Sequence, residues 1–522
     1  MGKVDAEESL FGSTRKICES QLPASSLFRL LADKSHEMFP AKMFEDLFSG
    51  VGRPSIPPRV VAVVMVLQRH HGMSDREAVG AFAFDLRWKY AAGCLAFEYP
   101  GFCHSVLVEM RARLAKSERP NRLFEATVEA AVEQGIVGRK RVFDSTALYD
   151  AVATQDTVTL VRNSIVGLLG AAPAELAAEL RAECRRDDEY CKPGKPACDW
   201  DDKPARDAML DGMAADGYAM LARLHDLSLD DTTRKATELL ATVLGQDLEM
   251  RHDGVFRIAD RVQKGRVIST VDPEARHGHK TTSRKFDGYK GHIVEDPDSE
   301  IITDTAVTAG NVGDAEAAHA VLDRQIEQAE NAPGEGKVEV YGDGSFGAAE
   351  LLEKSEVRDV DIFFKVQEPS ARAGCFSQND FEIDLNAGTA KCPNGVLVQL
   401  RLNKDGSRSA EFGPQCTSCP LRAQCTQSKS GRTLRLHPKH EILERHRKRQ
   451  RDPEWKKKYR STRPKVERKF AHLMRHKHGG RRARVRGQTR VAADFALLAA
   501  AANLARLAVL RTQPSKWAND AN

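Results

Sequence analysis

Residues 286–310 read FDGYKGHIVEDPDSEIITDTAVTAG, and this stretch indicates the fold class. It holds two runs of branched and aromatic residues separated by the short acidic turn DPDS, the pattern of a β-hairpin. An amphipathic helix is predicted over Asp314–Glu330, and the run Lys337–Tyr341 predicts a further strand. Upstream, KRVFDSTALYD (140–150) predicts an earlier strand that ends at Asp144.

A second helix over Ala348–Ser355 and a last strand, VDIFFKV (360–366), complete the series. The order is strand, strand, strand, helix, strand, helix, strand, which predicts an α/β core with a mixed sheet. If the sheet has the strand order 3-2-1-4-5, its first and fourth strands are neighbours. Asp144 and Asp343, which are predicted to end these two strands, are then expected side by side.

Glu467 is the single acid in YRSTRPKVERKFAHLMR (459–475), a strongly basic stretch. Residues 431–490 hold 23 Lys and Arg against 5 Asp and Glu, whereas the whole chain has a net charge of only +5. A solvated, charge-rich helix is the simplest explanation of such a run, but this excess of charge favours nucleic acid as a partner. Because a carboxylate repels phosphate, binding of nucleic acid alone does not explain an acid at position 467.

The pattern around Glu467 predicts a helix. Pro464 suits the first helical position. A buried stripe follows at helical spacing, formed by Val466, Phe470 and Leu473. Glu467 lies beside this stripe, one turn after Arg463. It is either half of an intrahelical ion pair worth roughly a few tenths of a kcal/mol, or a ligand for a divalent cation.

Three converging carboxylates can hold two Mg²⁺ ions about 3.5 to 4 Å apart, which activates a water or 3′ hydroxyl and stabilises the leaving oxygen. We predict that Asp144, Asp343 and Glu467 converge in this way. The alternative for the two aspartates is a capping or turn role. Other acids nearby in sequence are expected at turns or on the surface, with Asp287 the strongest competitor for the site. They are Asp150, Asp156, Asp287 and Asp304.

Length and composition predict a globular protein of two to four domains, since the chain has 522 residues of which 41% are hydrophobic. Met1–Arg15 is polar and acidic and lacks the apolar core of a signal peptide. The longest apolar run, from Phe495 to Ala502 and onward, is interrupted by Asp494, Asn503 and Arg506, so no membrane span is expected. We expect a cytoplasmic protein.

Eleven cysteines, an odd number in a long chain without an export signal, argue against a disulfide framework. Four of them form a CxxC with one flanking cysteine on each side, and such a set can close tetrahedrally on Zn²⁺. They are Cys392, Cys416, Cys419 and Cys425. Because no second CxxC exists, unligated thiols are the alternative. Cys184, Cys191 and Cys198 lie seven residues apart, which matches no common zinc spacing, so unligated thiols are expected there.

Residues 26–135 are predicted to be helical. The apolar segment VVAVVMVLQRHH (60–71) follows two prolines and ends before a glycine, and Ser74 with Glu77 forms a capping box for the next helix, which continues to Tyr90. Two helices around a glycine turn, ending in Arg-Trp-Lys (87–89), are compatible with a helix-turn-helix DNA reader. An ordinary helical bundle gives the same pattern.

Taken together, the chain resembles the DDE (Asp-Asp-Glu) transposases of bacterial insertion sequences, which have an RNase H-like core. The residues that carry the resemblance lie between about 26 and 510. They are FDSTALYD (143–150), GYKGHI (288–293), TDTAVTAGNVGDAEAA (303–318), VYGDGSFG (340–347), and Tyr459, Arg463, Glu467 and Arg475. The family signature near the last acid is YxxRxxxExxxxxxK. The spacing from Arg463 to Glu467 matches it, whereas Tyr459 and Arg475 are each displaced by one position.

The resemblance implies that Asp144, Asp343 and Glu467 bind two Mg²⁺ or Mn²⁺ ions. It implies that neighbouring side chains grip DNA near the cleaved end. The expected DNA-contacting set is Tyr459, Arg460, Arg463, Lys469, Arg475 and Lys477. The implied partners are the terminal inverted repeats of the element, target DNA, and a second copy of the chain in the synaptic complex. The implied location is the bacterial cytoplasm, at the nucleoid.

The implied reaction is cleavage at the element ends, followed by attack of the freed 3′ hydroxyl on target DNA. Two alternatives remain: a catalytically silent DNA-binding derivative of such an enzyme, and an RNase H-like nuclease without strand transfer. We expect a helical N-terminal DNA-binding domain, an interrupted RNase H-like core, a helical insert, a β-rich insert with cysteines, a basic helical end that carries Glu467, and a tail. Their bounds, in that order, are 1–135, 136–154 with 271–369, 155–270, 370–437, 438–511 and 512–522.

Overall fold

The computed structural model describes residues 13–49, 55–150, 153–186, 190–191, 198–252, 254–259, 263, 265–281, 284–358, 360–372 and 374–513. The described residues therefore exclude the N-terminal residues 1–12, most of residues 187–197 in the helical insert, and most of the C-terminal tail.

Eight strands precede the β-rich insert within the described part of the chain. In order they are β1 (Lys140–Tyr149), β2 (Leu248–Met250), β3 (Phe256–Ile258), β4 (Arg276–Thr281), β5 (Arg284–Asp296), β6 (Ile301–Ala309), β7 (Glu339–Gly342) and β8 (Asp361–Phe364). All but β2 and β3 form one mixed sheet. β5 pairs antiparallel with β1, β4 and β6, while β7 is parallel to both β1 and β8. Without β4 the strand order is β6-β5-β1-β7-β8, which confirms the predicted order of an RNase H-like core.

Helices cover both faces of this sheet, because its strands alternate apolar residues between the two sides. Asp314–Glu330 and Ala349–Val357 pack on the face that includes Phe143 and Val294. Pro464–Leu473 and Gln488–Leu510 pack on the opposite face. The predicted helix at Asp314–Glu330 is confirmed at both ends.

Asp144 does not end β1, as the sequence pattern suggested, but lies in its middle. The strand continues to Tyr149 because its second half pairs with β5, from Ser145 opposite His292 to Tyr149 opposite Gly288. Tertiary pairing thus extends a segment whose own β-propensity is strong only at Val142 and Phe143.

The N-terminal region is helical, as predicted. Its elements are Thr14–Gln21, Leu27–Met38, the 3₁₀ helix Ala41–Leu47, Pro58–His71, Asp75–Phe84, Leu86–Ala91, Ser105–Lys116 and Arg122–Glu133. The capping box of Ser74 and Glu77 is present. The helix it begins ends at Phe84, and not near Tyr90, because Asp85 caps a separate short helix.

The helix Pro58–His71 is a core element and offers little surface to DNA. Most of its residues are buried. Of the three residues expected at the end of a DNA-reading helix, Trp88 and Lys89 are buried and only Arg87 is largely exposed. The Lys89 ammonium donates to the carbonyl oxygen of Tyr99. Two of the three side chains that were predicted to read DNA are therefore not available to it.

The N-terminal helices share one hydrophobic core with the C-terminal helix Gln488–Leu510. This helix is long and apolar enough to span a membrane by composition, but 61% of its apolar window is buried inside the protein. Asn503 occupies the centre of the contact: its amide bonds both the N–H and the carbonyl of Ile302 and donates to Thr127. Gln488–Leu510 therefore acts as a core helix that joins the two regions.

The insert after β1 has a hydrophobic core of its own. Its helices are Thr157–Ala171, Ala174–Ala182, Lys203–Leu224 and Asp231–Asp247, followed by the β2–β3 hairpin. The second insert consists of two small antiparallel sheets. Their strands are β9 (Glu382–Asp384), β10 (Thr389–Lys391), β11 (Leu397–Gln399), β12 (Arg401–Leu402), β13 (Arg408–Glu411) and β14 (Thr433–Leu436). The basic helices His440–Arg449, Pro453–Thr462 and Pro464–Leu473 then return the chain to the central sheet.

Candidate active site

The parallel pairing of β1 and β7 brings the two aspartates together. Val142 is paired with Tyr341, and both side chains belong to the core on the side of the helix Pro464–Leu473. Side chains two residues apart on a strand share a face, so Asp144 and Asp343 follow on that same side. The expected neighbourhood of these two acids is therefore confirmed, although the expected strand end at Asp144 is not.

Stacked aromatic rings hold the next helix, Pro453–Thr462, against the sheet. Tyr341 stacks on Phe363 at 4.5 Å between ring centroids, and Trp455 stacks on Tyr459 at 5.0 Å. The rings of Phe363 and Trp455, 5.8 Å apart, connect the two pairs. This row of rings fixes the helix that leads directly into the Glu467 helix, Pro464–Leu473.

Arg463 stands between the three predicted carboxylates. Its Nη2 lies 2.9 Å from Oδ1 of Asp144 and 4.0 Å from Oδ2 of Asp343, and its Nη1 lies 3.6 Å from Oε1 of Glu467. The acids approach a single point in the fold, and a guanidinium occupies that point. The predicted intrahelical pair between Arg463 and Glu467 is thus present, and the same guanidinium contacts the two aspartates.

The three acids differ in exposure, and this sets their electrostatics. The side chain of Asp144 is 12% exposed, that of Asp343 is 41% exposed and that of Glu467 is 63% exposed. Burial raises the pKa of Asp144 to about 6, against the opposing effect of Arg463. Asp343 accepts a hydrogen bond from the backbone N–H of Ser345 through Oδ1, so it has the capping role considered above and keeps Oδ2 directed toward the site.

The guanidinium of Arg463 is poorly satisfied where it lies. Its side chain is only 7% exposed, and its Nε and Nη1 are buried without a hydrogen-bond partner. Carboxylate oxygens are the hard donors that Mg²⁺ and Mn²⁺ prefer, so the donor set fits such a cation. Within the described ranges, no three His, Cys, Asp or Glu side chains are grouped closely enough to hold a metal ion. At the acidic triad, the intervening guanidinium accounts for that spacing.

A half-buried polar network anchors the strand that carries Asp144. The backbone N–H of Ser145 donates to Oδ1 of Asp144, and the Ser145 hydroxyl donates to Asp314. Lys290 in turn donates to Asp314 at 3.0 Å. No role was predicted for Ser145, Lys290 or Asp314, although all three lie inside the motifs that carry the family resemblance. Only the pairing of β1 with β5 shows that they meet.

The competing acid Asp287 lies outside this group. Its carboxylate accepts from Thr154 at 2.7 Å and contacts the His277 ring at 2.5 Å. Asp304 is bound by Arg324 and Gln325, and Asp156 caps the helix Thr157–Ala171.

The predicted DNA-contacting residues fall into two groups. Arg460, Arg475 and Lys477 are exposed. Tyr459 is half-buried and donates to the carbonyl oxygen of Gly342 at 3.3 Å, next to Asp343. Lys469 is buried, and its ammonium lies 3.9 Å from Glu300. A position that the charge pattern assigned to the DNA surface therefore faces the protein interior, because it lies on the packed side of the Glu467 helix.

Two family models match the chain. Residues 391–508 match a transposase DDE domain, and residues 16–113 match a transposase domain of the DUF772 type. Both are transposase families, and together the two matches support a DDE-type insertion-sequence transposase. Glu467, Arg463 and the basic helices lie inside the first match, whereas Asp144 and Asp343 lie between the two matched segments. The matched segments meet in the structure, where the C-terminal helix of the chain packs among the N-terminal helices.

Comparisons with curated proteins and with solved structures found no match.

Proposed function

We propose that this transposase cleaves DNA at the ends of its insertion sequence and joins the freed 3′ hydroxyl to target DNA, using Asp144, Asp343 and Glu467 as ligands for two Mg²⁺ or Mn²⁺ ions. The observation that supports this best is the approach of all three carboxylates to one buried cationic group. When bound, the ions supply activation of the attacking hydroxyl and stabilisation of the leaving oxygen.

Each acid contributes differently in this proposal. Asp144 is the most rigid ligand, because the Ser145 N–H and the Asp314–Lys290 pair fix its strand. Asp343 lies on a tight turn that orients one carboxylate oxygen into the site. Glu467 is the most exposed and is held only by its helix, so it is the ligand that adjusts when ions and DNA arrive.

In this proposal, the Arg463 guanidinium lies among the three acids when no metal is bound and moves out when the ions bind. Without metal it compensates the charge of the three acids, which otherwise repel one another. Because two of its nitrogens lack hydrogen-bond partners, it loses few bonds on leaving. Once displaced, its planar fork is free to bind a DNA phosphate.

The DNA would follow the helix Pro453–Thr462. Two open depressions of about 580 and 530 Å³ border this helix, and Lys456 and Arg460 line both. The second depression reaches Gly344, next to Asp343, and includes the Trp455 and Tyr459 rings. A basic groove beside aromatic side chains suits a nucleic acid strand. Synapsis of two element ends would require two copies of the chain, acting on DNA in the bacterial cytoplasm.

The test uses DNA segments from either side of the reading frame that encodes the chain, as candidate element ends. Purified protein is incubated with these labelled ends, a second unlabelled duplex, and Mg²⁺ or Mn²⁺. The wild type is expected to nick the ends and to attach the labelled strand to the second duplex. Asp343→Asn and Glu467→Gln are expected to bind the ends but to yield no product, since each removes a ligand charge.

The matched control is Asp287→Asn, which alters a nearby acid outside the triad and is expected to keep activity. Nicking without joined product would identify a nuclease without strand transfer. Binding without either product in the wild type would identify a silent derivative. Full activity in Asp343→Asn or Glu467→Gln would reject the site.

A further inference from the structure

The second insert has too small a core to hold its own fold. Among the described positions, its hydrophobic cluster has five buried residues, Phe381, Ala390, Ala410, Phe412 and Leu434, and Leu436 is buried beside them in sequence. The segment 370–437 nevertheless forms two three-stranded sheets of two- to four-residue strands. Units of this length usually need disulfides or a bound metal in addition to their apolar core. The five cysteines of this segment form no disulfide with one another, so no disulfide supplies this.

Four of these thiols surround one small cavity at the centre of the insert. Cys392, Cys416, Cys419 and Cys425 all line a space of about 20 Å³, whose remaining walls include Phe376, Phe381 and Phe412. A space of this size accommodates a single particle the size of a water molecule. Cys392 follows β10 in the first small sheet, whereas the other three cysteines lie between β13 and β14 of the second, so a common ligand here would join the two small sheets.

Tight turns present these thiols to the cavity. Cys392 directly follows β10 and begins the turn to β11, in which the Gly395 N–H donates to the Cys392 carbonyl at 2.8 Å. Gly395 has φ +83°, so this turn favours glycine. Across the cavity, Cys416 and Cys419 form the CxxC turn, in which the Cys419 N–H points to the Cys416 carbonyl. Short turns of this kind let two ligands approach one ion.

The charges around the cavity suit a negatively charged thiolate site. Arg432 donates its backbone N–H to Sγ of Cys416 at 3.4 Å, and its buried Nε has no hydrogen-bond partner. Arg422 also lines the cavity. Two guanidinium groups would offset the net charge of −2 that four thiolates and one Zn²⁺ carry together.

We propose that Cys392, Cys416, Cys419 and Cys425 bind one structural Zn²⁺ ion that holds the second insert together immediately before the basic helices. Thiolates select zinc over the Mg²⁺ preferred by the acidic triad. Four protein ligands leave no open position, so the ion is architectural. Among the described residues the four thiols line one cavity without being grouped at ligand distance, so ligation would require them to approach one another. This site does not depend on the acidic triad.

The first test measures metal in the full-length protein, expressed in zinc-supplemented medium and washed with a weak chelator. One zinc per chain is expected by mass spectrometry. Protein expressed with Co²⁺ is expected to show the thiolate charge-transfer absorption and the strong visible bands of tetrahedral cobalt. Absence of stoichiometric zinc, or a cobalt spectrum without thiolate bands, would overturn the proposal. This measurement needs no variant and therefore no assumption about folding.

The second test compares Cys419→Ser with Cys375→Ser, a cysteine of the same insert that is outside the four. Cys419→Ser is expected to lose zinc retention in the same wash, whereas Cys375→Ser keeps one zinc per chain. Asp343→Asn is also expected to keep it, which separates this site from the catalytic proposal. Retention of one tightly held zinc in Cys419→Ser would overturn the assignment.

Discussion

At the scale of single residues, Arg463 shows what sequence analysis reached and what it missed. The spacing of Arg463 and Glu467 predicted an ion pair, and the resemblance predicted a metal ligand. Neither indicated that the guanidinium would lie among all three acids, because that depends on strands more than a hundred residues upstream. The burial of Lys469 was missed for the same reason: its charge is visible in the sequence, but the face of the helix that packs on the sheet is not.

Arg463→Gln is expected to tighten Mn²⁺ binding in the absence of DNA, because no fixed cation then competes for the three acids. The attraction between close charges at a partly buried site is on the order of a few kcal/mol, which corresponds to a roughly 10- to 100-fold lower Kd. Isothermal titration calorimetry measures this. Arg460→Gln, at an exposed position on the preceding helix, is the control and should change little. An unchanged or weaker affinity in Arg463→Gln would show that the guanidinium does not occupy the metal position.

Gly347 directly follows the tight turn Gly344–Phe346, which Asp343 caps. We expect this position to tolerate no side chain. A Cβ there would lie 2.2 Å from the backbone carbonyl oxygen of Lys365, whereas a Cβ at Gly313 would meet nothing within 4 Å. Neither glycine has a positive φ, so the two differ in space alone. Gly347→Ala should therefore lower the unfolding midpoint in urea clearly, and Gly313→Ala should not. Equal midpoints would mean that the turn can relax.

At the scale of elements, the sequence predicted the series of strands and helices well but not the length of each. The helix Asp314–Glu330 was predicted to the residue, because its apolar periodicity is strong and its start is acidic. β1 extends beyond its predicted end, since β5 supplies a long partner. β4 was missed, because RHGHKT (276–281) has little β-propensity and is a strand only through pairing with β5.

Glu295 on β5 gives a pH-dependent prediction. It is fully buried and neither carboxylate oxygen has a hydrogen-bond partner. Burial raises its pKa to about 8, against the opposing effect of Lys469. Between the ordinary pKa of a glutamate and this value, the folded state keeps a proton that the unfolded state has lost, so Glu295 lowers the free energy of unfolding as pH rises.

Glu295→Gln removes this titration without removing the shape of the side chain. The free energy of unfolding of the variant, minus that of the wild type, is expected to increase from about pH 5 to about pH 8, by at most about 1.4 kcal/mol per pH unit. Urea unfolding followed by tryptophan fluorescence gives both values. A difference that stays constant across this range would mean that Glu295 is already ionised in the folded protein.

At the scale of the whole molecule, the basic side chains fall into two groups: some are exposed near the acidic triad, and others form ion pairs within the fold. The basic excess of residues 431–490 contrasts with a chain that is almost balanced overall, and its exposed part follows the helix that borders the acidic triad. Part of the excess is used inside the fold, as with Lys458 bound to Glu339 and Lys465 bound to Asp298. Counting charge therefore predicts DNA as the partner but overestimates the number of contacts available to it.

The triple variant Lys456→Gln, Lys457→Gln, Arg460→Gln is expected to weaken DNA binding at all sequences alike. Each phosphate contact contributes about 0.9 to the slope of log affinity against log salt concentration, so the slope should become shallower by roughly 3 at most. Fluorescence anisotropy across a salt series measures it. Lys235→Gln, on the helical insert, should leave the slope unchanged. A wild-type slope in the triple variant would place the DNA on another surface.

In the proposed reaction, Asp144, Asp343 and Glu467 receive the catalytic ions and Arg463 leaves when they do. Anomalous diffraction from crystals of the protein with Mn²⁺ and end DNA tests it most directly. We expect manganese peaks among the three carboxylates, with the Arg463 guanidinium withdrawn toward a phosphate. Arg463 still bound to Asp144, with no manganese between the acids, would contradict it.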